Sequence, residues 1–387
     1  MYSNDSVEIL SFHRFLLSDK ARELYRRALF DQVRSGDVVL DLGTGTGILA
    51  LFACQAGARR VYGIEAGKVI ELAKIVCARN GLKERVVFIK NLSLRVDLPE
   101  RVDLMVTDIF ETFGLQDGLL GTVMDARKRF LDKDGVIIPS AVSLFVAPVE
   151  LDQTYDQEVN FWARDIYGLD FSPVQRAAKN NIYPLRLEPG SLLADPVLAK
   201  EILLAEVETP QVHCDLSLSI VRSGVLHGLV GWFASKLTND IILSNEPGSK
   251  TTNYAQAFLP VNCPVPVEQG DWIRVVIDSY DGAAWKWQVE IEKPSKVLDS
   301  YPDQKMKFDH STLWGFPLSK EELYKSSSNY APSLCRSGEA ESFVLSSFDG
   351  EKTIGEIEKE LFSHYPDSFH SQQEASAFVR EIVMRCA

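Results

Sequence analysis

The chain has 387 residues, 45% of them hydrophobic and 25% charged, a composition that excludes a disordered, collagenous or disulfide-framework protein. Its 41 basic and 54 acidic residues leave a net charge of −13 at pH 7, which argues against general binding to nucleic acid or anionic membranes. Residues 1–140 carry 20 basic and 19 acidic side chains, so the acidic surplus falls in residues 141–387. A surplus of this sign favours a basic substrate.

Cysteine usage and the absence of apolar runs indicate a cytoplasmic location. The six cysteines are scattered, with neither paired nor zinc-ligand spacing, so we expect reduced thiols and no metal site. The N-terminal residues lack the basic start and apolar stretch of a secretory signal, and no run approaches the roughly 20 apolar residues of a membrane span.

Alternating strands and helices are predicted in the first 140 residues. Helical periodicity over residues 7–34 precedes the first strand. Strands are predicted at 38–41, 61–64, 86–89, 104–106 and 135–138, and the intervening helices at 48–56, 68–80 and 119–130. This alternation predicts an α/β domain with a parallel, doubly wound sheet.

The pattern changes after Pro139. Alternating segments separated by turn residues predict an antiparallel β domain over 141–297, a β-barrel by preference and a sandwich as the alternative, interrupted by a helical insert at about 158–180. Residues 298–387 begin as a polar linker and then resume helical periodicity, which predicts a small helical C-terminal domain.

A glycine-rich turn lies between the first strand and its helix. The strand ends in Asp41, Gly43, Gly45 and Gly47 follow with single-residue spacing, and the second strand ends in the acid Glu65. Glycines allow a nucleoside cofactor to approach the backbone, and the acid can accept both ribose hydroxyls. S-adenosylmethionine fits this arrangement better than NAD, because it needs no pyrophosphate cradle.

Several segments resemble the protein arginine methyltransferases. They are residues 38–65 and 125–149, the spaced motif His13-x-x-x-Leu17-x-Asp19-x-x-Arg22, and the stretches 168–172 and 226–230. The resemblance spans about residues 10–295. It implies a Rossmann-like class I methyltransferase domain joined to a β-barrel, with the insert acting as the arm of a head-to-tail homodimer.

The resemblance also implies roles for individual residues. Arg22 would pair with the methionyl carboxylate, Asp41 and Gly43 would line the cofactor, Glu65 would hold the ribose, and His13 would stand over the substrate pocket. Ser93-Leu94-Arg95 falls where the family has a glutamate near the adenine, so the contacts there are open between Asn91 and Ser93.

Two acids in the loop after the fourth strand match the catalytic glutamates of the family. The matching positions are Asp108 and Asp117, nine residues apart, and Glu111 lies between them. An aspartate is shorter by one methylene, about 1.5 Å, and a misplacement of about 1 Å can reduce a rate on the order of 100-fold. Either the loop moves inward, or Glu111 takes a role, or the substrate differs from an ordinary arginine. The family's Thr-His-Trp loop falls at residues 252–254, so its histidine is Asn253, which we assign to the substrate pocket.

The C-terminal segment, residues 341–384, resembles the helical part of PqqD-like domains, which implies binding of a leader peptide. Thr353 and Glu356 have the spacing of a helix-capping box. A plain helical extension is the alternative interpretation.

Together these observations predict an S-adenosylmethionine-dependent arginine N-methyltransferase that acts on a peptide or protein. Two alternatives stay open. One is a methyltransferase that acts on another nucleophile of a peptide, and the other is a weakly catalytic cofactor-binding or leader-peptide adaptor.

Overall fold

The computed structural model describes residues 5–115, 118–250, 252–292, 306–317, 319–325 and 327–386. They fall into two units, Met1–Pro317 and Leu318–Ala387. The first unit contains all the sheets, and the second is helical.

The first sheet is parallel and has five strands: β1 (Val38–Leu42), β2 (Arg60–Glu65), β3 (Val86–Lys90), β4 (Val102–Thr107) and β5 (Leu131–Ile138). Their spatial order is β3-β2-β1-β4-β5, with every neighbouring pair parallel. The helices of this region are α1 (Asp5–Leu17), α2 (Ala21–Gln32), α3 (Ile48–Ala56), α4 (Ile70–Arg79) and α5 (Leu119–Arg129). The predicted parallel sheet is confirmed, and the reversal of strand order at β1 opens a crevice at the carboxyl ends of the strands.

Helix α2 shows how burial directs a polar side chain toward this crevice. Its buried positions include Arg22, Tyr25 and Leu29, which recur at the spacing of one helix face. The apolar members of that face pack against the sheet, so Arg22 is buried at the carboxyl end of the strands.

Two antiparallel sheets follow. Their strands are β6 (Ala141–Val149), β9 (Tyr183–Leu185), β10 (Val197–Leu203), β11 (Gln211–Ser219), β12 (Gly224–Lys236), β13 (Ile242–Ser244), β14 (Gln256–Val267), β15 (Trp272–Tyr280), β16 (Ala284–Glu292) and β17 (Met306–Ser311). One sheet has the order β10-β6-β12-β14-β9, with β13 paired to β12, and the other has the order β11-β15-β16-β17.

The predicted closed barrel is not formed within the described residues. The two antiparallel sheets share one hydrophobic core, but no ladder of hydrogen bonds joins them among the strands that the structure describes. A turn and an irregular segment separate β10 from β11, and this segment ends in Pro210, which has no N–H to donate to a ladder. The described residues of this domain therefore form two antiparallel sheets that share a core, without a closed barrel.

The insert contains a hairpin as well as helices. Helix α6 (Asp152–Glu158) and a short 3₁₀ turn lead to strands β7 (Asp165–Ile166) and β8 (Leu169–Asp170), which pair before α7 (Ser172–Ala178). The two residues at the hairpin tip, Tyr167 and Gly168, have positive φ angles of 56° and 79°. A two-residue turn with both φ angles positive matches the twist of a hairpin.

Strand β17 lies in the segment that was predicted as linker. It pairs with β16 from Lys286 to Ile291 and so extends the four-stranded sheet. Its sequence, Met-Lys-Phe-Asp-His-Ser, is short and largely polar, so it lacks the apolar alternation of a strand.

The second unit consists of α8 (Lys320–Lys325), α9 (Arg336–Ser346), α10 (Ile354–His364) and α11 (Gln372–Cys386). The last three helices enclose a separate hydrophobic core that includes Val344, Leu361 and Val379. The predicted capping box is confirmed, because the Thr353 side chain accepts from the Glu356 N–H and the Glu356 carboxylate accepts from the Thr353 N–H.

Among the helices that the structure describes, none has the length and apolar character needed to cross a bilayer.

Candidate active site

A crevice of about 460 Å³ opens at the carboxyl ends of β1, β2 and β4. Eight of the residues predicted for the site line it: His13, Arg22, Gly43, Gly45, Glu65, Asn91, Ser93 and Asp108. These residues come from six segments of the chain, and the topology of the parallel sheet brings them together.

The glycine turn leaves no room for side chains. Gly43, Gly45 and Gly47 have φ angles of 75°, 54° and 83°, in the left-handed region that favours glycine. A Cβ on Gly43 would lie 2.7 Å from Ile109 Cδ1, and one on Gly45 would lie 3.0 Å from His13 Cε1. Gly47 faces Phe88 instead of the crevice, so it shapes the turn without lining the site.

Asp41 lies beneath the turn, and this corrects its predicted role in lining the cofactor. Its side chain is fully buried and accepts hydrogen bonds from the Thr44 hydroxyl (2.5 Å) and the Ala50 N–H (2.9 Å). Burial raises the pKa of Asp41 to about 7. Asp41 therefore holds the turn to the start of α3 and does not line the crevice.

Glu65 is held at the edge of the crevice by two backbone donors. Its Oε2 accepts from the Gly45 N–H (3.1 Å), and its Oε1 accepts from the Gly67 N–H (2.7 Å). A carboxylate oxygen can accept more than one hydrogen bond, so Glu65 keeps acceptor capacity toward a diol in the crevice.

His13 lies over the glycine turn, on the crevice side of α1. Burial lowers the pKa of His13, and the nearby Glu65 carboxylate partly opposes this shift. The imidazole was predicted over a substrate pocket, but its contact with Gly45 and its proximity to Glu65 locate it on the nucleotide side of the crevice.

Asn91 and Ser93 both lie in the loop after β3, so the choice between them stays open. The Asn91 Oδ1 accepts from the Leu92 N–H (2.9 Å), and the backbone carbonyl of the buried Ser93 accepts from Arg129 (2.7 Å). Both residues line the crevice.

Arg22 and Asp108 form a buried ion pair in the lining of the crevice. The Arg22 Nε and the Asp108 Oδ1 are buried and have no hydrogen-bond partner. Burial alone would lower the pKa of Arg22, but the Asp108 carboxylate raises it by more, so the net shift is upward. For Asp108, burial raises the pKa by more than Arg22 lowers it. One donor and one acceptor are therefore left over for a ligand.

Two tyrosines that the sequence analysis did not assign flank this pair. The Tyr25 hydroxyl donates to the Thr107 carbonyl (3.0 Å), and the Arg22 guanidinium lies 5.3 Å from the Tyr25 ring centroid. Tyr254 lines the crevice, and its pKa is raised well above the ordinary value by burial and then by Asp108.

A second acid, Asp19, ties the antiparallel domain to the start of α2. It accepts from the Thr252 hydroxyl (2.7 Å) and from the Asn253 N–H (2.8 Å). Asn253 thus contributes its backbone, and its side chain is not part of the crevice lining, contrary to its predicted role in the substrate pocket. The sequence could have indicated a structural role for Asp19, because it lies just before α2 and acidic residues are favoured there as helix caps.

The loop that follows Asp108 is anchored in the core of the antiparallel domain. Phe110 stacks on Phe233 with 5.3 Å between centroids, and Phe113 stacks on Trp285 at 4.8 Å. Glu111 is exposed and lines a neighbouring cavity, not the crevice.

The far end of this loop is held by Asp281, another residue that the sequence analysis did not assign. Its carboxylate accepts from the Leu120 N–H (2.7 Å) and the Gly121 N–H (3.0 Å), and its carbonyl accepts from the Gly118 N–H (2.8 Å). Asp117, the predicted partner of Asp108, lies outside the described residues.

Within the described ranges, no three His, Cys, Asp or Glu side chains converge as metal ligands.

Two family models match adjoining parts of the chain. The model described as arginine methyltransferase oligomerization subdomain matches residues 140–292, and the model described as ribosomal protein L11 methyltransferase (PrmA) matches residues 24–142. The two matches meet at the junction of the parallel and antiparallel sheets.

Two curated relatives are similar to this chain over most of its length. Protein arginine N-methyltransferase 1 of Dictyostelium discoideum is 30% identical over 287 residues, which cover 72% of this chain and 84% of that protein. The probable protein arginine N-methyltransferase 6 of Arabidopsis thaliana is 32% identical, covering 68% of this chain and 72% of that protein.

The fold is shared with two solved structures. The Trypanosoma brucei PRMT1 enzyme-prozyme heterotetrameric complex with AdoHcy has a TM-score of 0.67 at 22% identity and covers 76% of this chain and 97% of that one. Protein arginine methyltransferase 10 of Arabidopsis thaliana has a TM-score of 0.67 at 24% identity, covering 78% and 98%.

Proposed function

Because this chain belongs to the protein arginine N-methyltransferase family, we propose that it transfers a methyl group from S-adenosylmethionine to an arginine of a peptide or protein. The observation that carries the proposal is the buried Arg22–Asp108 pair, which leaves an unpaired donor and an unpaired acceptor in a crevice that Glu65 also lines.

The residues of the crevice fit the cofactor. The Arg22 Nε is a buried donor without a partner and suits the methionyl carboxylate. Glu65 suits the ribose hydroxyls, and the glycine turn, where a Cβ would collide, suits close approach of the ligand to the backbone. When bound, S-adenosylmethionine supplies an electrophilic methyl group on its sulfonium.

The work of the acidic side chains is to orient the guanidinium and to receive its proton. The pKa of an arginine guanidinium lies far above neutral, so its prior deprotonation at pH 7 would cost about 9 kcal/mol. A carboxylate raises this cost, and its useful roles are to hold the protonated guanidinium and to accept a proton as the new bond forms. The unpaired Asp108 Oδ1 is the acceptor suited to these roles, with Asp117 proposed as the second acid.

Arg22 serves two anions in this scheme. In the structure it pairs with Asp108, and a methionyl carboxylate at Nε would draw part of its charge away from that aspartate. Asp108 would then be less neutralised and better able to bind a cationic arginine. Cofactor binding should therefore strengthen arginine binding, and by linkage arginine binding should strengthen cofactor binding.

A second candidate function is a cofactor-binding adaptor with little catalysis. The observation that favours it is the same ion pair, since an aspartate held by Arg22 is shorter than glutamate and already engaged. A methyltransferase that acts on a different nucleophile is the remaining alternative.

We also propose that the chain forms a head-to-tail homodimer through the insert. The hairpin tip residue Tyr167 is 99% exposed, and Leu169 beside it is 60% exposed. Helix α4 exposes Leu72, Ile75 and Val76 at the spacing of one face, an apolar surface that suits such an arm from a second copy.

For the helical unit at residues 318–387 we propose a role in holding the leader segment of a peptide substrate. The support is its separate hydrophobic core and its three-helix arrangement. The six free cysteines support our inference of a cytoplasmic location.

The test of the proposed function uses radiolabelled S-adenosylmethionine and a peptide with a single arginine, alongside the same peptide with lysine in its place. We expect label on the arginine peptide only. Calorimetry should show that Glu65→Ala weakens cofactor binding by about tenfold or more, because the hydrogen bonds from the ribose hydroxyls to a charged acceptor are lost. Glu71→Ala, on the exposed face of α4, is the matched control.

Cofactor binding without transfer would favour the adaptor. Label on another residue would favour the other methyltransferase, and unchanged affinity in Glu65→Ala would remove the ribose assignment.

A further inference from the structure

A second cavity, which we call the basic pocket, lies between helix α7 and strand β17 and has a volume of about 370 Å³. Its lining includes Arg176 and Lys179 on the α7 side and Lys307 and His310 on β17. It shares no lining residue with the crevice, and β17 follows the part of the chain that the oligomerization model matches.

The charge of the basic pocket is opposite to that of the chain as a whole. Arg176 and Lys179 have no carboxylate partner among the described residues, and Lys307 lies 3.3 Å from Glu290. Asp309 is the one acid in the described lining, and its carboxylate accepts from Gln288. Arg176 and Lys179 thus remain as cations without a carboxylate partner among the described residues, in a part of the chain that has 21 basic and 35 acidic residues.

His310 lies in the wall of the basic pocket with both ring nitrogens unpaired. Its side chain is only 2% exposed and stacks on Trp287 at 5.2 Å between centroids. The Lys179 carbonyl approaches the ring, but neither nitrogen has a hydrogen-bond partner. Burial lowers the pKa of His310 to about 4, so the neutral ring has one donor and one acceptor without partners at pH 7.

An unsatisfied buried polar group costs free energy, and a hydrophobic side chain of similar size would fill the same space on Trp287 without that cost. The imidazole therefore points to a polar occupant of the pocket. Arg176 and Lys179, the two cations of the pocket without a carboxylate partner among the described residues, favour a negatively charged occupant.

Two asparagines preform the wall of the basic pocket. The Asn180 Oδ1 accepts from the Ser311 N–H (2.9 Å), and its Nδ2 donates to the Arg176 carbonyl (2.8 Å). The Asn181 Nδ2 donates to the Gly315 carbonyl (3.0 Å). These bonds connect the α7 side of the pocket with the β17 side, so a ligand can bind with little further ordering of the wall.

Another cavity of about 350 Å³ is lined by Asn181 and Thr312, and also by Glu111 and Phe113 of the loop after Asp108. Asn181 follows Asn180 of the basic pocket directly, so consecutive residues line the two cavities. One cavity has Glu111 in its wall and the other has Arg176 and Lys179, which suits a substrate that carries a cation and an anion.

We propose that the basic pocket binds an oxyanion, and that this oxyanion is a carboxylate of the peptide whose arginine enters the crevice. The first half stands on the pocket itself, and the second half rests on the proposed function. The substrate class is then a peptide with an acidic group some residues away from its methylated arginine.

The test uses peptides with one arginine and one glutamate at several spacings, each with a glutamine counterpart, and the double variant Arg176→Ala/Lys179→Met of the full chain. Fluorescence anisotropy should show that the parent binds the best glutamate peptide about tenfold more tightly than its glutamine counterpart. The double variant should lose this preference, and Lys200→Met, an exposed lysine on β10, should keep it. His310→Phe, which can still stack on Trp287, should weaken the preference, and circular dichroism verifies folding of each variant.

Inorganic phosphate distinguishes the two sources of an oxyanion. If phosphate binds the parent more tightly than the double variant while no peptide shows a glutamate preference, the pocket holds a free anion and the peptide assignment is overturned. If neither phosphate nor any peptide distinguishes the parent from the double variant, the basic pocket is not an oxyanion site.

Methyl transfer measured on the same peptides separates this proposal from the proposed function. A glutamate preference in binding without any transfer would leave the basic pocket standing and refute the methyltransferase activity. Methyl transfer without a glutamate preference would support the methyltransferase activity and refute binding of a peptide carboxylate in the basic pocket.

Discussion

At the residue scale, buried polar atoms without partners mark the chemistry of the crevice. The Arg22 Nε and the Asp108 Oδ1 belong to residues that line it, so a ligand can satisfy them. The Asp41 Oδ1 lies beneath the glycine turn, where no ligand reaches it. A buried charge costs more free energy than a buried neutral carboxyl, so Asp41 retains its proton and its pKa rises. The carboxyl still accepts hydrogen bonds from the Thr44 hydroxyl and the Ala50 N–H.

This proton makes the stability of the protein depend on pH. Because the pKa of Asp41 is about 7 in the folded state and has the ordinary aspartate value of 3.8 in the unfolded state, the folded state holds the proton more tightly, and stability falls as pH rises from 4 to 7. The loss is on the order of 4 kcal/mol at 1.36 kcal/mol for each pKa unit. We expect Asp41→Asn, which cannot ionise, to gain stability relative to the parent across this range in urea unfolding.

The exposed Asp195→Asn serves as the control, with a difference from the parent that stays constant with pH. A constant difference for Asp41→Asn as well would show that Asp41 is ionised at pH 4 in the folded protein.

At the element scale, the parallel sheet and its glycine turn could be predicted because they are local patterns of apolar runs and glycines. The pairings across the site could not, since Arg22 meets Asp108 from 86 residues away and Asp19 meets Thr252 from 233 residues away. The role of Asp41 was mistaken for a related reason, because sequence does not tell whether a residue at a strand end points into the crevice or beneath it. Strand β17 was missed because its pairing depends on β16 rather than on its own apolar pattern.

The capping of α5 by Asp281 gives a prediction at this scale. The aspartate has a φ of 51° and satisfies two N–H groups at the start of the helix that follows the Asp108 loop. We expect Asp281→Ala to lower stability by about 1–2 kcal/mol, the usual cost of a lost cap, and to lower kcat/KM while cofactor affinity is unchanged.

Asp281→Asn tolerates the same backbone conformation and keeps one acceptor, so it should retain more of both properties. Parent-like turnover in Asp281→Ala, together with reduced stability, would limit Asp281 to a structural role.

At the scale of the whole molecule, the chain combines a cofactor sheet, an antiparallel domain with an exposed insert, and a helical unit with its own core. The acidic surplus predicted to attract a cationic substrate coexists with a basic pocket on the antiparallel domain. This distribution fits a substrate recognised at more than one point along its length.

The insert provides a prediction for assembly. Replacement of the fully exposed Tyr167 by lysine at the hairpin tip should convert a dimer into a monomer in sedimentation velocity, because a charge would be buried at the interface. Trp272→Lys, at an exposed aromatic on β15, should leave the dimer intact. A Tyr167→Lys dimer as stable as the parent would rule out the hairpin as the contact.

The helical unit provides a prediction for substrate binding. If it holds a leader segment, removal of residues 318–387 should raise the KM of a long precursor peptide and leave the KM of a short arginine peptide unchanged. Equal KM changes for both peptides, or none for either, would contradict a leader-binding role.

The most direct test of the central claim is mass spectrometry of a single-arginine peptide after incubation with S-adenosylmethionine and either the parent or Asp108→Asn. We predict a methyl group on the arginine guanidinium with the parent. Asp108→Asn should act about 100-fold more slowly or worse, because it removes the buried carboxylate that orients the guanidinium and accepts its proton. Methylation of a different side chain, or transfer by Asp108→Asn at the parent rate, would contradict the assignment of this crevice as an arginine methyl-transfer site.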